Sequence, residues 1–194
     1  MDFVKTWLSS LLLKRGLVLA LLLLGVLINP CAAQPDWPND EFQIKAAFLY
    51  KFAGYVEWPE GSPGPVDAPL TIGVLGADPI AEELMQIVQG RKIQSRGLAV
   101  RRLKAGDSLD DVAILFVGKG DATQLKPLRG ALQARPVLVV TEEPAGLALG
   151  GMINFLPVDR NVRFEVSLDS VKKGGLRLSS RLLAVAQKVH GEGR

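Results

Sequence analysis

Apolar runs alternate with helix-like segments between residues 70 and 141, and this alternation restricts the fold more than any other feature. Residues 70–75 (LTIGVL) and 113–117 (AILFV) are apolar and each run is followed by glycine, as expected of strands buried on both faces. Residues 136–141 (PVLVVT) form a third candidate strand and residues 98–103 a weaker one. Apolar strands that alternate with helices build a parallel sheet covered by helices on both faces.

Two helical segments lie between these strands. Asp78 and Pro79 predict a helix start, with Asp78 as the N-cap and Pro79 in the first turn, and the helix is expected to run to about residue 89. Leu125, Leu128 and Leu132 have the spacing of one helix face. These helices would connect the parallel strands.

The pattern changes after residue 141. Residues 152–156 and 162–168 flank a five-residue connection, and the second arm alternates apolar with polar side chains, which predicts an antiparallel hairpin with one solvated face. Ser179 or Ser180 is expected to cap a terminal helix with apolar residues Leu182, Leu183, Val185, Ala186 and Val189. The predicted fold class is α/β, with a mixed, mainly parallel sheet flanked by helices on both faces, a C-terminal antiparallel hairpin and a terminal helix.

A strongly apolar helix is predicted before the sheet. Asn39 or Asp40 can cap it, and one face carries Phe42, Ala46, Leu49, Ala53 and Val56. A second apolar stripe contains Ile44, Phe48, Phe52 and Tyr55. A helix this apolar is expected to pack on a sheet or against another subunit.

The first 33 residues have the layout of a secretory signal. Residues 17–28 (LVLALLLLGVLI) carry no charge and follow Lys5, Lys14 and Arg15. The run is short for a bilayer-spanning helix, which needs roughly 20 apolar residues. Small residues at Cys31 and Ala33 suit signal peptidase, so we expect cleavage after Ala33 and a single exported domain over residues 34–194.

Cysteine and charge exclude several classes of function. Cys31 is the only cysteine and lies in the predicted signal, so the mature chain would contain no disulfide, thiolate metal site or cysteine nucleophile. Pro30 before it fits a lipid-attachment box poorly, which favours a soluble product over a lipoprotein. Removing three cationic residues and one acidic residue with the signal changes the net charge from +3 to +1, so nucleic-acid binding is not expected.

The remaining residues offer no evident catalytic or metal-binding set. The only histidine, His190, lies near a terminus expected to fray, and Ser179 and Ser180 are explained as helix caps. The adjacent acid pairs at residues 82–83, 110–111 and 142–143 point in different directions on a helix or strand and are expected to be solvated. We therefore predict no metal, no cofactor and no enzymatic activity.

Glycine-containing turns follow two of the predicted parallel strands. Neither turn matches a dinucleotide-binding or Walker sequence, and such turns need glycine for structural reasons. Ligands of open α/β sheets nevertheless bind at the carboxyl ends of the strands. The candidate ligand-binding residues are Gly76, Asp78, Gly118, Lys119 and Gly120.

Several segments taken in order resemble the YfiR family, over roughly residues 41–190. The aromatic helix that ends in Glu-Trp-Pro, the Arg-Phe-Glu strand and the Gly-Leu-x-x-Ser-Ser turn are the most specific of them. The matching segments are IKAAFLYKFAGYVEWP (44–59), PLTIGVLG (69–76), AILFVG (113–118), GGMINF (150–155), VRFEVSLDSV (162–171) and GLRLSSRLL (175–183).

The resemblance implies a periplasmic protein of Gram-negative bacteria that binds the periplasmic sensory region of an inner-membrane diguanylate cyclase and inhibits it. Cyclic di-GMP and biofilm formation would then be held down. It also implies a homodimer with a mixed sheet, and an outer-membrane-associated partner that can sequester the protein. Because the mature chain has no cysteine, the disulfides of the best-known member are not expected here.

Two groups of residues are candidates for partner binding. Glu57, Trp58 and Pro59 follow the aromatic helix, where a Trp and a Pro in a loop can supply a rigid contact surface; the alternative is that Trp58 closes the core. Arg163 and Glu165 lie on the polar face of the hairpin and form either a partner surface or a cross-strand charge pair.

Two other functions remain open from the sequence. The first is a periplasmic small-molecule sensor that uses the glycine turns and has no cyclase partner. The second is a secreted hydrolase that uses Asp or Glu, which would require paired carboxylates in a cleft. An exported, nearly neutral domain without a catalytic set is more readily a binding module than an enzyme.

Overall fold

The computed structural model describes residues 37–61, 64–65, 67–133, 135–158 and 161–191 of the 194-residue chain. The predicted signal, its cleavage point after Ala33 and Cys31 lie outside the described residues. Among the described residues, no helix combines the length and the apolar character needed to cross a membrane.

The described residues form short and long helices around an eight-stranded sheet. The helices are α1 (Trp37–Tyr55), α2 (Asp78–Val88), α3 (Leu125–Gln133), α4 (Gly146–Leu149), α5 (Leu168–Lys173) and α6 (Ser180–Leu183), with a 3-10 turn at Ala122–Gln124. The strands are β1 (Val56–Glu57), β2 (Leu70–Leu75), β3 (Lys92–Ile93), β4 (Arg96–Leu103), β5 (Val112–Val117), β6 (Leu138–Thr141), β7 (Ile153–Val158), β8 (Asn161–Ser167), β9 (Arg177–Leu178) and β10 (Lys188–His190).

The large sheet has the strand order β10-β8-β7-β6-β5-β2-β4-β3. Strands β4, β2, β5, β6 and β7 are mutually parallel, β8 runs antiparallel to β7, and β10 runs parallel to β8. Strand β3 pairs antiparallel with β4, and β1 and β9 form a separate antiparallel ribbon. The predicted mixed, mainly parallel sheet with a C-terminal hairpin is confirmed.

Helices cover both faces of the sheet, as the continuous apolar runs predict. Side chains of a strand alternate between its two faces. Ile114 and Phe116 of β5 belong to the core that α1 and α2 cover, whereas Leu115 and Val117 belong to a second core that includes Leu125 of α3. Every residue of β5 is buried, which explains why its sequence contains no polar position.

Helix α1 packs on the hairpin through aromatic side chains. The ring centroid of Phe52 lies 5.2 Å from that of Phe164 and 5.9 Å from that of Phe155, in edge-to-face and stacked arrangements. The prediction that this helix packs on the sheet is confirmed. Its predicted start was wrong, because α1 begins at Trp37 and residues 39–40 lie inside it; Pro38 suits a first turn, where its missing N–H is not needed.

Helix α2 has the predicted extent but a different cap. Ala77 is the N-cap residue and supplies no side-chain hydrogen bond, so the prediction of Asp78 as the cap was wrong. Asp78 and Pro79 are instead the first two helical residues. An acidic side chain in the first turn still interacts favourably with the positive end of the helix dipole.

A short helix followed by a strand occupies the last part of the described chain. The Ser179 hydroxyl accepts a hydrogen bond from the Leu182 amide at 3.4 Å, which confirms the predicted cap. The predicted extension of the helix to Val189 was wrong, since residues 188–190 form β10. Without β10 the outer edge of β8 would present unpaired backbone groups, and the Gln187 amide donates to the Phe164 carbonyl at 2.8 Å just before β10 begins.

Candidate functional site

A row of polar side chains crosses three neighbouring strands of the sheet. Thr141 on β6 lies in register with Asn154 on β7, which lies in register with Glu165 on β8. Residues in register face the same side of a sheet. The Thr141 hydroxyl donates to Asn154 Oδ1 at 2.8 Å, and Asn154 Nδ2 donates to Glu165 Oε1 at 2.9 Å. Thr141 and Asn154 are fully buried, and these bonds satisfy their polar groups.

His190 extends the row to the edge of the sheet. Its Nε2 atom lies 2.8 Å from Glu165 Oε2. The expectation that His190 frays was therefore wrong, because pairing of β10 with β8 brings its side chain against Glu165. Glu165 contacts Asn154 and His190, while Arg163 is exposed and lies opposite Leu156.

Helix α4 packs closely against this polar row. A Cβ atom on Gly146 would lie 2.2 Å from Thr141 Oγ1 and 2.3 Å from Asn154 Oδ1. A Cβ atom on Gly151 would lie 2.8 Å from the same threonine oxygen. All three distances are too short for a side chain, so glycine at these positions lets α4 cover the row.

The second polar cluster lies at the carboxyl ends of β5 and β6. Glu142 Oε1 accepts a hydrogen bond from the Lys119 amide at 2.9 Å, and Glu143 accepts one from the Gly120 amide. The interpretation of this acid pair as simply solvated was therefore wrong. Two adjacent carboxylates converge on one turn because the turn presents two successive amides to them.

Lys45 of α1 supplies a cation to this cluster. Its ammonium contacts Glu142 and lies 2.6 Å from Glu41 Oε1, and the side chains of Lys45 and Glu142 are only 10% and 12% exposed. Burial by itself lowers the pKa of Lys45, but the hydrogen bonds and charges of Glu142 and Glu41 outweigh that effect. The pKa of Lys45 consequently lies above its ordinary value of 10.5.

The predicted ligand residues meet at this end of the sheet, as the parallel topology requires. The Gly118 amide donates to the Leu75 carbonyl at 2.8 Å, which joins the turn after β5 to the turn after β2. A Cβ atom on Gly76 would lie 1.8 Å from Asp121 Oδ2, and one on Gly118 would lie 2.4 Å from the Gly76 carbonyl oxygen. Close packing accounts for both glycines. Asp78 is exposed, 3.7 Å from Arg102 Nε.

The three predicted partner residues that follow α1 belong to the β1–β9 ribbon and the loop after it. Glu57 is exposed and its Oε2 atom accepts a hydrogen bond from Arg177 Nε at 3.1 Å. Trp58 is partly buried and packs against the main core, yet its buried Nε1 atom has no hydrogen-bond partner among the described residues. Pro59 is exposed. Trp58 therefore combines contact with the core and partial exposure.

An open cleft of about 410 Å³ adjoins the polar row, and its lining includes Ala145, Leu147, Ser167, His190 and Glu165. Glu165 is the one carboxylate among the described residues that line it, whereas a two-carboxylate hydrolase needs a pair. In the described part of the chain no cluster of three His, Cys, Asp or Glu side chains could hold a metal ion.

Sequence reasoning missed Asn154, Lys45 and the partners of Glu142. One signal was present for each of the first two: Asn154 is a polar residue inside an apolar strand, and Lys45 is a cation inside an apolar helix. Such groups require buried partners. The partners themselves depend on strand register and helix placement, which a single sequence does not give.

Comparison with known proteins identifies the domain. The profile of the YfiR/HmsC-like family (DUF4154) matches residues 42–187. A crystal structure described as a conserved domain protein from Vibrio cholerae O1 biovar El Tor is similar with a TM-score of 0.50 and 11% sequence identity. The match covers 77% of this chain and 60% of that chain, and at this identity it shows a common fold alone.

Proposed function

This chain belongs to the YfiR/HmsC-like family, and we propose that it binds the periplasmic sensory region of an inner-membrane diguanylate cyclase and inhibits it. The observation that carries the proposal is the family match over residues 42–187. The family is periplasmic and regulatory rather than catalytic, and it belongs to cyclic di-GMP signalling. Inhibition by this protein would lower cyclic di-GMP and biofilm formation.

The family also supports export and partner exchange. We propose that a signal peptide is removed after Ala33, that the mature protein is a homodimer, and that an outer-membrane-associated protein can sequester it and release the cyclase. Mass spectrometry of the purified periplasmic protein would give its first residue. Light scattering would give its mass in solution, and a monomer at micromolar concentration would count against the dimer.

A non-catalytic inhibitor must bind one state of its target more tightly than the other. Binding shifts an equilibrium only by the difference in affinity for the two states. We infer that this protein binds the inactive conformation of the cyclase's periplasmic region. No reaction at the protein's own side chains is required for such inhibition.

Glu57, Trp58 and Pro59 form the first proposed contact surface. Large aromatic side chains that are partly exposed contribute strongly to protein interfaces. The partly exposed Trp58 ring supplies apolar contact area, and the Glu57 carboxylate beside it is exposed and can accept from a donor on the cyclase. Pro59 fixes its own φ and restricts the backbone of Trp58 before it, which reduces the entropy lost on binding.

Arg163 and Glu165 form the second proposed contact surface. They are alternate residues of β8 and therefore face the same side of the sheet. Arg163 is exposed and can pair with an acidic group of the partner, whereas the Glu165 side chain is 15% exposed and already contacts Asn154 and His190. We therefore expect Arg163 to contact the partner directly and Glu165 to hold the surface in position.

Complementation with variants tests these surfaces. In a strain lacking the gene, wild-type protein should lower cellular cyclic di-GMP, and Trp58→Ala and Arg163→Glu should lower it less at equal periplasmic abundance. Lys92→Glu is a matched charge reversal on β3, at the opposite edge of the large sheet, and should act like wild type. Equal activity of all four proteins would contradict both surfaces.

A small-molecule sensor at Gly76, Asp78, Gly118, Lys119 and Gly120 is the second proposal, and the adjacency of the two turns supports it. An anionic ligand there would have to displace Glu142 and Glu143, because these carboxylates already accept from the amides of residues 119 and 120. Thermal unfolding with nucleotides and sugar phosphates tests this site. Lack of any ligand-dependent rise in the melting temperature would count against it.

A further inference from the structure

An apolar cavity of about 380 Å³ lies beside α4 and shares Leu147 with the cleft that adjoins the polar row. Leu125 of α3, Val139 of β6 and Met152 line it and are at most 7% exposed, so they form its floor. Residues 147–149 of α4 form one wall. The volume falls in the range of small-molecule sites, roughly 300–1,000 Å³.

The polar groups of the cavity are few and lie on α5. Lys173 is exposed, and it is the one charged residue among the described residues that line the cavity; no carboxylate lines it. Ser170 also lines the cavity. An apolar floor with a single cation at its rim favours an apolar ligand with one negative charge.

The hydrogen bonds around Ser170 allow its hydroxyl hydrogen to be donated to a ligand. The Ser170 amide donates to Ser167 Oγ at 3.2 Å, and Ser167 Oγ donates to Ser170 Oγ at 3.0 Å. Either hydroxyl can donate across this contact, and with Ser167 as the donor Ser170 Oγ is the acceptor. Its own hydrogen can be donated to a carboxylate that Lys173 attracts.

We propose that this cavity binds an aliphatic monocarboxylate, with its hydrocarbon chain against Leu125, Val139 and Met152 and its carboxylate between Lys173 and Ser170. The aliphatic chain removes apolar surface of both molecules from water. The carboxylate receives a charge-assisted hydrogen bond. This site differs from the glycine turns of the sensor proposal and does not depend on the cyclase.

Decanoate is a suitable probe, used as free monomer with the folded protein. We expect saturable binding by calorimetry, with methyl NMR shifts concentrated at Leu125, Leu132, Leu147, Val139 and Met152. Lys173→Gln should weaken binding roughly three- to five-fold, the effect of removing a partly solvated ion pair. Lys172→Gln is the matched control, because Lys172 is also exposed in the last turn of α5 but does not line the cavity.

Two related compounds test whether the cavity prefers a carboxylate over other apolar molecules. Decylammonium and decan-1-ol should bind more weakly than decanoate, since neither carries a negative charge. The proposal is overturned if decanoate does not saturate, if shifts concentrate at leucines under α1 and α2, or if decylammonium binds as tightly. The proposal is also overturned if the protein sediments with phospholipid vesicles but does not bind decanoate. The acyl chains of a membrane would then be the ligand.

Discussion

Asn154 is the residue on which the polar row depends. Its amide bridges Thr141 and Glu165, and its Oδ1 atom also accepts from the Glu143 amide at 3.1 Å. Asn154→Leu preserves approximate volume but leaves these groups without their partner, so we expect the free energy of unfolding to fall by about 3 kcal/mol. Urea denaturation measures the loss.

Lys188→Ala is the control for that experiment, because Lys188 is exposed on β10 and no bond of the row uses it. Its free energy of unfolding should stay within about 0.5 kcal/mol of wild type. A similarly small change for Asn154→Leu would mean that the groups of the row find other partners.

Lys45 gives a pH-dependent contribution to stability. Lys45→Met leaves Glu142 without its cationic partner and should lower the free energy of unfolding by about 3 kcal/mol near neutral pH. A pKa raised in the folded state means that the contribution is complete below 10.5 and is lost as pH rises through the folded value.

The difference between wild type and Lys45→Met should therefore be constant from about pH 7 to about pH 9 and shrink as pH rises above 10.5. Denaturation at each pH measures this difference. Comparison with the variant cancels the titration of the other lysines and tyrosines. A difference that grows above pH 10.5 would contradict the raised pKa.

At the level of single residues, burial was easier to predict than bonding. The apolar residues of β2 and β5 could be identified because a continuous apolar run flanked by turn residues is typical of a strand buried on both faces. The bond from His190 to Glu165 could not, since it requires β10 to pair beside β8. The interactions of Glu142 likewise depend on where α1 brings Lys45.

The close packing of α4 can be tested by substituting one glycine of α4 and comparing it with one glycine of α3. Gly146→Ala would place a Cβ atom 2.2 Å from Thr141 Oγ1, so α4 would have to move and the free energy of unfolding should fall by about 2 kcal/mol. A Cβ atom on Gly130 of α3 would meet nothing within 4 Å, and Gly130→Ala should raise that free energy by about 0.5–1 kcal/mol.

Chemical denaturation of both glycine variants compares the same substitution in two helices. Opposite signs support close packing of α4 on the polar row. A rise in the free energy of unfolding for both variants would contradict it, because helix propensity alone would then account for the result.

At the level of elements, the segments with a clear apolar pattern or cap could be predicted, whereas strand β10 could not. Helices α2 and α3 carry several apolar residues at helical spacing. Strands β2 and β5 are buried runs of six residues each. Strand β10 has only three residues, and its apolar neighbours also fit a helix face. The segment forms a strand and not a helix because it pairs with β8. This pairing is a contact between segments that are not adjacent in sequence.

At the level of the whole molecule, helices cover the large sheet, and the residues proposed to contact the protein partner lie on different elements. The β1–β9 ribbon carries Glu57, and Trp58 follows it, whereas β8 of the large sheet carries Arg163. The fold class was predictable because alternating apolar strands and helices favour a parallel sheet. Partner identity was not, because it depends on shape and charge of a second protein.

The proposed inhibition is measured most directly as cyclic di-GMP synthesis from GTP by detergent-solubilised membranes of a strain that lacks this protein. Adding purified wild-type protein should lower the synthesis rate in a saturable way, while Trp58→Ala at the same concentration should lower it less. A rate that wild-type protein leaves unchanged, in membranes that contain active diguanylate cyclases with periplasmic regions, would contradict the proposed inhibition.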